Sequence, residues 1–219
     1  VPVDSSAITI APLGGRHVNH FWRLLSQLEI PYITLLDLDV ARFGGGWGRI
    51  KYANDQLKIF NPENILPNNY GIPEWNNNKY SILKYKNYLD ELEKREIFYS
   101  CPMDLDFSML KAFPNKFKIK NNWNDTLPSQ SLVESVLGES HHNPEQYTEE
   151  ERKLFSSYRK LFKLGSKPVN HIQALADLTD EELLKNMPES LSRLADAVKT
   201  KLLGIPEWFQ LNNGYLQMD

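Results

Sequence analysis

The sequence predicts an α/β fold, with a mainly parallel sheet flanked by helices and a helical C-terminal part. Two short apolar, β-branched segments, residues 7–13 (AITIAPL) and 32–36 (YITLL), enclose a segment with helical spacing at residues 17–29. A strand, a helix and a second strand within about 30 residues are typical of the βαβ unit of parallel sheets. A third apolar run at residues 97–99 adds another strand.

The amino-acid composition and net charge exclude several classes of protein. The 219 residues are 41% apolar and 24% charged, as in ordinary globular proteins. The net charge of −3 excludes a constitutively basic nucleic-acid coat protein. The single cysteine, Cys101, cannot form an internal disulfide, and no Cys/His spacing suggests structural zinc, so we expect a reducing cytoplasm. No apolar run approaches the roughly 20 residues of a membrane span, which predicts a soluble protein.

The first predicted strand is buried and stops at a turn formed by Gly14 and Gly15. The helix after it ends near Pro31. Its apolar residues recur at the spacing of one helical face. They are Val18, Phe21, Trp22, Leu25 and Leu28.

Residues 1–114 are expected to form the α/β core, with an inserted irregular and helical segment at about 42–96, and residues 115–219 a mostly helical part of the same domain. Glycines and prolines predict loop structure over residues 42–79, and residues 115–146 are polar with weak periodicity. Helices are expected at 80–96 and 104–113, from Thr148 to about Leu164, and from Thr179 onward. Two capping-box patterns open the last two, Thr148 with Glu151 and Thr179 with Glu182.

Asp37 and Asp39 directly follow the second strand. Side chains alternate along a strand, so both carboxylates point to the same side, at the strand end where open α/β sheets bind ligands. Two neighbouring carboxylates repel each other unless a proton or a cation lies between them, and Mg²⁺ prefers oxygen ligands. The pattern fits either a divalent-metal site or an acidic turn.

Asp104 and Asp106 follow the third strand in the same way. If both strands belong to one parallel sheet, their ends share an edge and the four carboxylates converge. The alternative is a helix N-terminus that is rich in aspartate because of the helix dipole. Two acidic pairs at strand ends favour the metal site more than either pair alone.

Several basic and glycine residues could contact phosphate. Lys167 precedes a proline, so we expect its backbone to be fixed in a turn; it could stabilise charge on a phosphoryl group, although a surface lysine is the simpler interpretation. The loop at 43–49 (FGGGWGR) lacks nucleotide-loop spacing; it is either a DNA-facing loop, with Trp47 for stacking, or an ordinary surface loop. A basic run, Lys111, Lys116, Lys118 and Lys120, is either a DNA track or a solvated face. The candidate DNA contacts are Gly14, Gly15, Arg16, Arg42, Arg49 and Lys111.

Four segments together resemble a known family. They are PLGGRHVNHFWRLL, IPYITLLDLDVARFGGGWGRI, SCPMDLDFSML and GSKPVNHIQALADL. In this order they are similar to the C-terminal TOPRIM nuclease domain of OLD-family (overcoming lysogenisation defect) ATP-dependent endonucleases, which occur in anti-phage systems such as Gabija and some retrons. The similarity spans roughly residues 7–205.

The resemblance implies a nuclease that cuts or nicks DNA with Mg²⁺ or Mn²⁺, expected as two ions. Asp37 and Asp39 match the metal-binding D-x-D pair of TOPRIM domains. Asp104 and Asp106 match a later acidic motif that often ends in glutamate, so the side chain of Asp106 is one methylene shorter than in those relatives. Lys167 matches the active-site lysine. Gly14 and Gly15 match the glycine turn before the helix.

One motif of the family is missing. TOPRIM domains carry a glutamate after their first strand, usually before a glycine, whereas Glu29 lies on a predicted helix and cannot take that role. We therefore expect the first strand and an ABC-type ATPase domain to precede Val1 in a longer protein, with homo-oligomers forming through the ATPase domain. This chain alone should then lack part of the catalytic centre.

Two functions follow as hypotheses. The first is a metal-dependent endonuclease that forms the nuclease part of an ATPase-linked anti-phage protein. The second is a catalytically weak TOPRIM-like scaffold that binds DNA or a partner subunit, suggested by the missing glutamate and the acidic net charge. A TOPRIM topoisomerase or primase fits less well, because the sequence has no nucleophilic tyrosine motif and no zinc-ribbon spacing.

Overall fold

A computed structural model describes residues 8–13, 18–67, 71–77, 79–118 and 127–203. Within these ranges the chain has an α/β fold with a two-stranded parallel sheet flanked by helices, which confirms the predicted fold class. Strand β1 (Thr34–Asp37) pairs with β2 (Ile97–Ser100) in a register that places Thr34 opposite Ile97 and Asp37 opposite Ser100. Both strands therefore end at the same edge of the sheet.

The helices of the described ranges have the following bounds. They are α1 (Val18–Gln27), α2 (Trp47–Phe60), α3 (Asn87–Glu93), α4 (Leu105–Ala112), α5 (Gln130–Leu137), α6 (Glu149–Lys153), α7 (Phe155–Tyr158), α8 (Lys167–Ala176), α9 (Asp180–Asn186) and α10 (Glu189–Leu203). Short 3₁₀ turns lie at Pro62–Asn64, Ile82–Lys84 and Pro144–Gln146, and a π-helical turn follows α7 at Arg159–Lys163. None of the helices in the described ranges is long and apolar enough to cross a membrane.

Elements with strong local signals agree with the sequence-based predictions. The first helix and the strands expected at 32–36 and 97–99 are present as α1, β1 and β2, and the helix expected at 104–113 is α4. Both capping boxes form, with the Thr148 and Thr179 hydroxyls accepting from the backbone three residues later. The first box opens α6, but the expected single helix continues as α7 and a π-helical turn.

Two predictions are wrong for the described residues. Residues 8–13 form no strand, and Ile10 is 77% exposed, because no neighbouring strand within the described chain pairs with them. Residue 7 and the Gly14–Gly15 turn lie outside the described residues. The loop expected over 42–79 contains α2, a helix of 14 residues. Its buried residues Trp47, Ile50 and Leu57 recur at helical spacing, and this burial outweighs the cluster of glycines before it.

The polar 115–146 stretch and the segment before β2 also differ in detail. Helix α5 lies within the former, with Val133, Val136 and Leu137 buried. The helix expected at 80–96 is a 3₁₀ turn followed by the shorter α3. In both places the structure follows packing against the core rather than local periodicity.

The core ties the second half of the chain to the end of the sheet. Four rings from α4, α7 and the turn before α6 form edge-to-face pairs with centroids 5.3 to 6.1 Å apart, those of Phe107, Tyr147, Phe155 and Tyr158. The buried Tyr147 hydroxyl donates to the Val40 carbonyl at 2.7 Å, just beyond β1. The helical part is thus anchored beside the C-terminal ends of the strands.

Candidate functional site

The candidate site is built where the two parallel strands end. Past β1, the backbone N–H of Asp39 donates to the Met103 carbonyl at 2.8 Å, so the residues after both strands stay side by side. Asp37, Asp39 and Asp104 lie along this edge, which we call the carboxylate rim. Open α/β sheets bind ligands at this edge.

The glycine-rich segment after β1 is an ordered turn against Asp39. A Cβ on Gly45 would lie only 1.8 Å from the Asp39 carbonyl oxygen, so this close approach requires glycine. The turn leads directly into α2, whose first residue, Trp47, is buried and donates from Nε1 to the Tyr80 carbonyl at 2.7 Å. The indole of Trp47 is therefore a core group and is not available to stack on DNA.

Arg42 crosses the carboxylate rim and contacts both acidic motifs. Its Nη1 donates to Asp39 at 2.6 Å and to Asp104 at 3.1 Å, and its Nη2 donates to the Tyr158 hydroxyl at 2.9 Å. Burial lowers the pKa of Arg42, but Tyr158 and the two carboxylates raise it more, so the guanidinium keeps its charge. Arg49, from the first turn of α2, forms a second short ion pair with Asp39.

Asp104 has two structural partners besides Arg42. One carboxylate oxygen accepts from the Phe107 backbone N–H at 2.9 Å and caps α4, and the other accepts from the Tyr158 hydroxyl at 2.5 Å. Burial and the charge of Asp104 raise the pKa of Tyr158, which keeps its phenol protonated as the donor. Asp104 is thus both the helix N-cap that the sequence allowed and a member of the rim.

Asp37 differs from its neighbours because it forms no salt bridge with any described residue. Among the described residues, its carboxylate accepts a single long hydrogen bond, 3.4 Å, from the Leu105 backbone N–H. Burial of the carboxyl, followed by the charges of Asp104 and Asp39, raises the pKa of Asp37 to about 6. The rim is therefore short of positive charge at this carboxylate.

The side chain of Asp106 contacts two residues of α8. Lys167 Nζ donates to one oxygen of Asp106 at 2.5 Å, and His171 Nε2 contacts the other at 2.8 Å. We call these three residues the Asp106 cluster. The structure thus brings Lys167 to the second acidic motif. His171 was missed by the sequence-based analysis, although its position four residues after Lys167 on one helix face was the available signal.

The remaining candidate DNA contacts are spread over the molecule. Gly14, Gly15 and Arg16 lie outside the described residues, as does Lys120. Arg42 and Arg49 are in the carboxylate rim. Lys111 is exposed and forms an ion pair with Glu151 at 2.7 Å, and Lys116 pairs with Glu182 at 3.0 Å, so acidic groups already balance two lysines of the expected basic track.

A half-open pocket of about 400 Å³ lies beside Asp37. Its walls combine apolar and aromatic groups with one acidic and one basic residue. The lining residues are Val18, Leu36, Asp37, Gly44, Gly48, Arg49, Tyr52 and Tyr99. A pocket of this size that borders a carboxylate with a raised pKa is a typical place for a small ligand group.

The carboxylate oxygens of the rim are the type of ligand that divalent cations prefer. Their contacts within the protein limit how many of the three carboxylates could bind an ion. In the described part of the chain, no group of three or more His, Cys, Asp or Glu side chains is arranged to hold a metal ion. Asp37 fits as a ligand, because its carboxylate forms no salt bridge with a described residue. Asp39 would join it only on release from Arg42 and Arg49, and Asp104 only on release from Arg42 and Tyr158.

Comparison with known proteins found one family model that matches part of the chain. The matched model is that of the overcoming lysogenization defect protein-like TOPRIM domain, and it covers residues 1–39. This segment contains α1, β1, Asp37 and Asp39. Neither the curated proteins nor the solved structures contain a match. Over these residues the chain is similar to OLD-like TOPRIM domains, a class that binds divalent metal ions such as Mg²⁺ and whose members are typically nucleases or primases.

Proposed function

We propose that this chain is the nuclease part of a DNA endonuclease that depends on Mg²⁺ or Mn²⁺. The proposal rests on the position and the charge of Asp37. It lies in the segment similar to the TOPRIM domain, ends a parallel strand, and is a rim carboxylate with no salt bridge to a described residue. Its pKa of about 6, raised by burial and by two neighbouring carboxylates, indicates a place where a cation is favoured.

A bound divalent ion would activate a water molecule and stabilise the leaving oxygen of the phosphodiester. In this proposal Asp37 would hold one ion, and a second ion would require Arg42 and Arg49 to release Asp39, or Arg42 and Tyr158 to release Asp104. Lys167 keeps its charge: partial burial lowers its pKa, but the hydrogen bond to Asp106 raises it more. Its ammonium group, about half exposed, offsets negative charge that develops on the phosphoryl group.

The pocket beside Asp37 supports the choice of a nucleic-acid substrate. Tyr52 and Leu36 line its walls and Arg49 lies at the same site. Aromatic and apolar walls suit a base or sugar, and the adjacent carboxylate would hold the ion near the phosphate that follows. We also propose that an ABC-type ATPase domain, homo-oligomers formed through it and an anti-phage role belong to the complete protein, by similarity to OLD-type endonucleases.

The test is cleavage of supercoiled plasmid DNA in Mg²⁺ or Mn²⁺ and in EDTA, by a protein that includes the upstream segment expected to carry the missing glutamate. We expect metal-dependent nicking that Asp37→Asn and Lys167→Ala each reduce by at least about a hundredfold, since each removes charge stabilisation in the transition state. Asp196→Asn, an exposed carboxylate on α10 with only a 3.5 Å contact to Lys199, is the matched control. Undiminished nicking by Asp37→Asn would disprove the assignment.

One observation favours the second candidate, a catalytically weak scaffold that binds DNA or a partner. Arg42, Arg49 and Tyr158 already provide partners for Asp39 and Asp104 within the chain. Calorimetric titration with Mn²⁺ distinguishes the two functions. A nuclease binds the ion and loses that affinity in Asp37→Asn, whereas a scaffold shows no binding that depends on Asp37.

A further inference from the structure

The Asp106 cluster joins α8 to the start of α4 with two cationic or donor groups on one carboxylate. Lys167 and His171 are one helical turn apart on α8, and each contacts a different oxygen of Asp106. Lys167 Nζ lies 2.5 Å from one oxygen of Asp106, and His171 Nε2 lies 2.8 Å from the other. A carboxylate oxygen accepts, so the imidazole is the donor of this contact.

Rings from two other segments fix the imidazole. The His171 ring stacks on Phe162, with centroids 5.2 Å apart and an interplanar angle of 27°, and contacts Phe117 edge-on at 5.5 Å. The His171 side chain is 20% exposed, whereas that of Lys167 is 51% exposed on a flexible stem. The rigid member of the cluster is thus the histidine, and the lysine is the member that faces solvent.

Helix α8 has few other attachments. Ala174 is its one buried residue, while Val169 and Ile172 are 49% and 68% exposed. Asn170 adds a hydrogen bond from Nδ2 to the Leu161 carbonyl at 2.7 Å. With so little buried apolar surface, the position of α8 depends strongly on the bonds to Asp106.

We propose that His171 is a positioning residue, which fixes Asp106 and through it holds Lys167 beside the carboxylate rim, and that Asp106 serves this cluster instead of binding metal. Both oxygens of Asp106 have close charged or donor partners, whereas Asp37 has no salt bridge with a described residue. A metal ion at Asp106 would have to replace a hydrogen bond from Lys167 or His171. The role given to Lys167 rests on the proposed nuclease function; the cluster and the exclusion of Asp106 from metal binding do not.

Three variants separate the parts of the proposal. H171F keeps an aromatic ring between Phe117 and Phe162 but removes the donor, H171Q keeps a donor near the position of Nε2, and D106N keeps the shape of Asp106 but removes its charge. D37N is the reference for lost metal binding, and D196N is the control for removing an exposed carboxylate.

The first measurements do not need cleavage activity. Hydrogen exchange of the α8 amides should become about tenfold faster in H171F and D106N, because hydrogen bonds to a charged group are lost, and should stay close to wild type in H171Q. Mn²⁺ titration should give wild-type affinity for D106N and H171F but not for D37N. Loss of Mn²⁺ affinity in D106N, or unchanged α8 exchange in both H171F and D106N, would overturn the proposal.

Plasmid nicking then tests positioning. H171F should lower kcat at least tenfold with KM little changed, because phenylalanine keeps the packing of the ring but cannot donate a hydrogen bond. H171Q, which keeps a donor, should recover most of that loss. Equal loss in both variants would contradict the donor role. If the wild-type protein does not cleave DNA, the nuclease function fails while exchange and titration still decide on the cluster. Thermal unfolding identifies any variant that does not fold. If H171F does not fold, D106N and H171Q are used to test the proposal instead.

Discussion

Replacing Asp37 by asparagine should stabilise the metal-free protein while removing its response to metal. The pKa of Asp37 rises from an ordinary value of 3.8 to about 6, through burial and the charges of Asp104 and Asp39. A shift of this size corresponds to about 3 kcal/mol against the ionised form. Asp37 exposes more than a third of its surface, so solvent screening reduces the expected effect to about 1 kcal/mol.

The sign of the effect depends on pH. The folded state holds the proton of Asp37 more tightly than the unfolded state, so the ionised carboxylate costs stability above the folded pKa of about 6. That cost disappears as the pH falls toward 3.8, where both states are protonated. Asparagine has no charge at any pH, so Asp37→Asn should gain stability above pH 6 and gain little near pH 4.

Thermal unfolding followed by circular dichroism measures both parts. In EDTA at about pH 8, Asp37→Asn should raise Tm by roughly 2 to 4 °C, the shift that about 1 kcal/mol gives in a chain of this size. Saturating Mg²⁺ should raise Tm of the wild type but not of the variant. Asp196→Asn, far from the rim, should show neither change. A variant less stable than the wild type at about pH 8 would refute the argument that the rim disfavours this charge.

Substitutions at three further positions test the packing that supports the site, each by urea unfolding. Arg42→Met should lower the free energy of unfolding by about 3 to 5 kcal/mol, since it leaves two buried carboxylates without their shared cation. A decrease below about 1 kcal/mol would contradict the bridging role. Tyr147→Phe should cost about 1 to 3 kcal/mol by leaving the buried Val40 carbonyl unpaired; an unchanged midpoint would show that another group satisfies it. Thr148→Ala should cost about 0.5 to 2 kcal/mol through loss of the α6 cap, and Thr148→Ser should retain most of that stability.

Local rules predicted the parts of the fold that depend on neighbours in sequence. The apolar run before Asp37 is β1, and Thr148 and Thr179 cap the helices that follow them, because each signal involves groups within one turn or one strand. The same local rules failed at residues 8–13, since a strand needs a pairing partner that no local pattern provides. They failed at α2 because a run of glycines hid the helical spacing that begins at Trp47.

The sequence by itself determined which chemical groups are present near the strand ends: two pairs of aspartates, a downstream lysine and a glycine-rich segment. Only the tertiary structure decided how they are shared. It placed Arg42 between Asp39 and Asp104, although Asp104 lies 62 residues after Arg42 in the sequence. It also brought His171 and Lys167 into contact with Asp106. Ion pairing between distant segments depends on distance and burial, which folding sets and which residue order alone does not reveal.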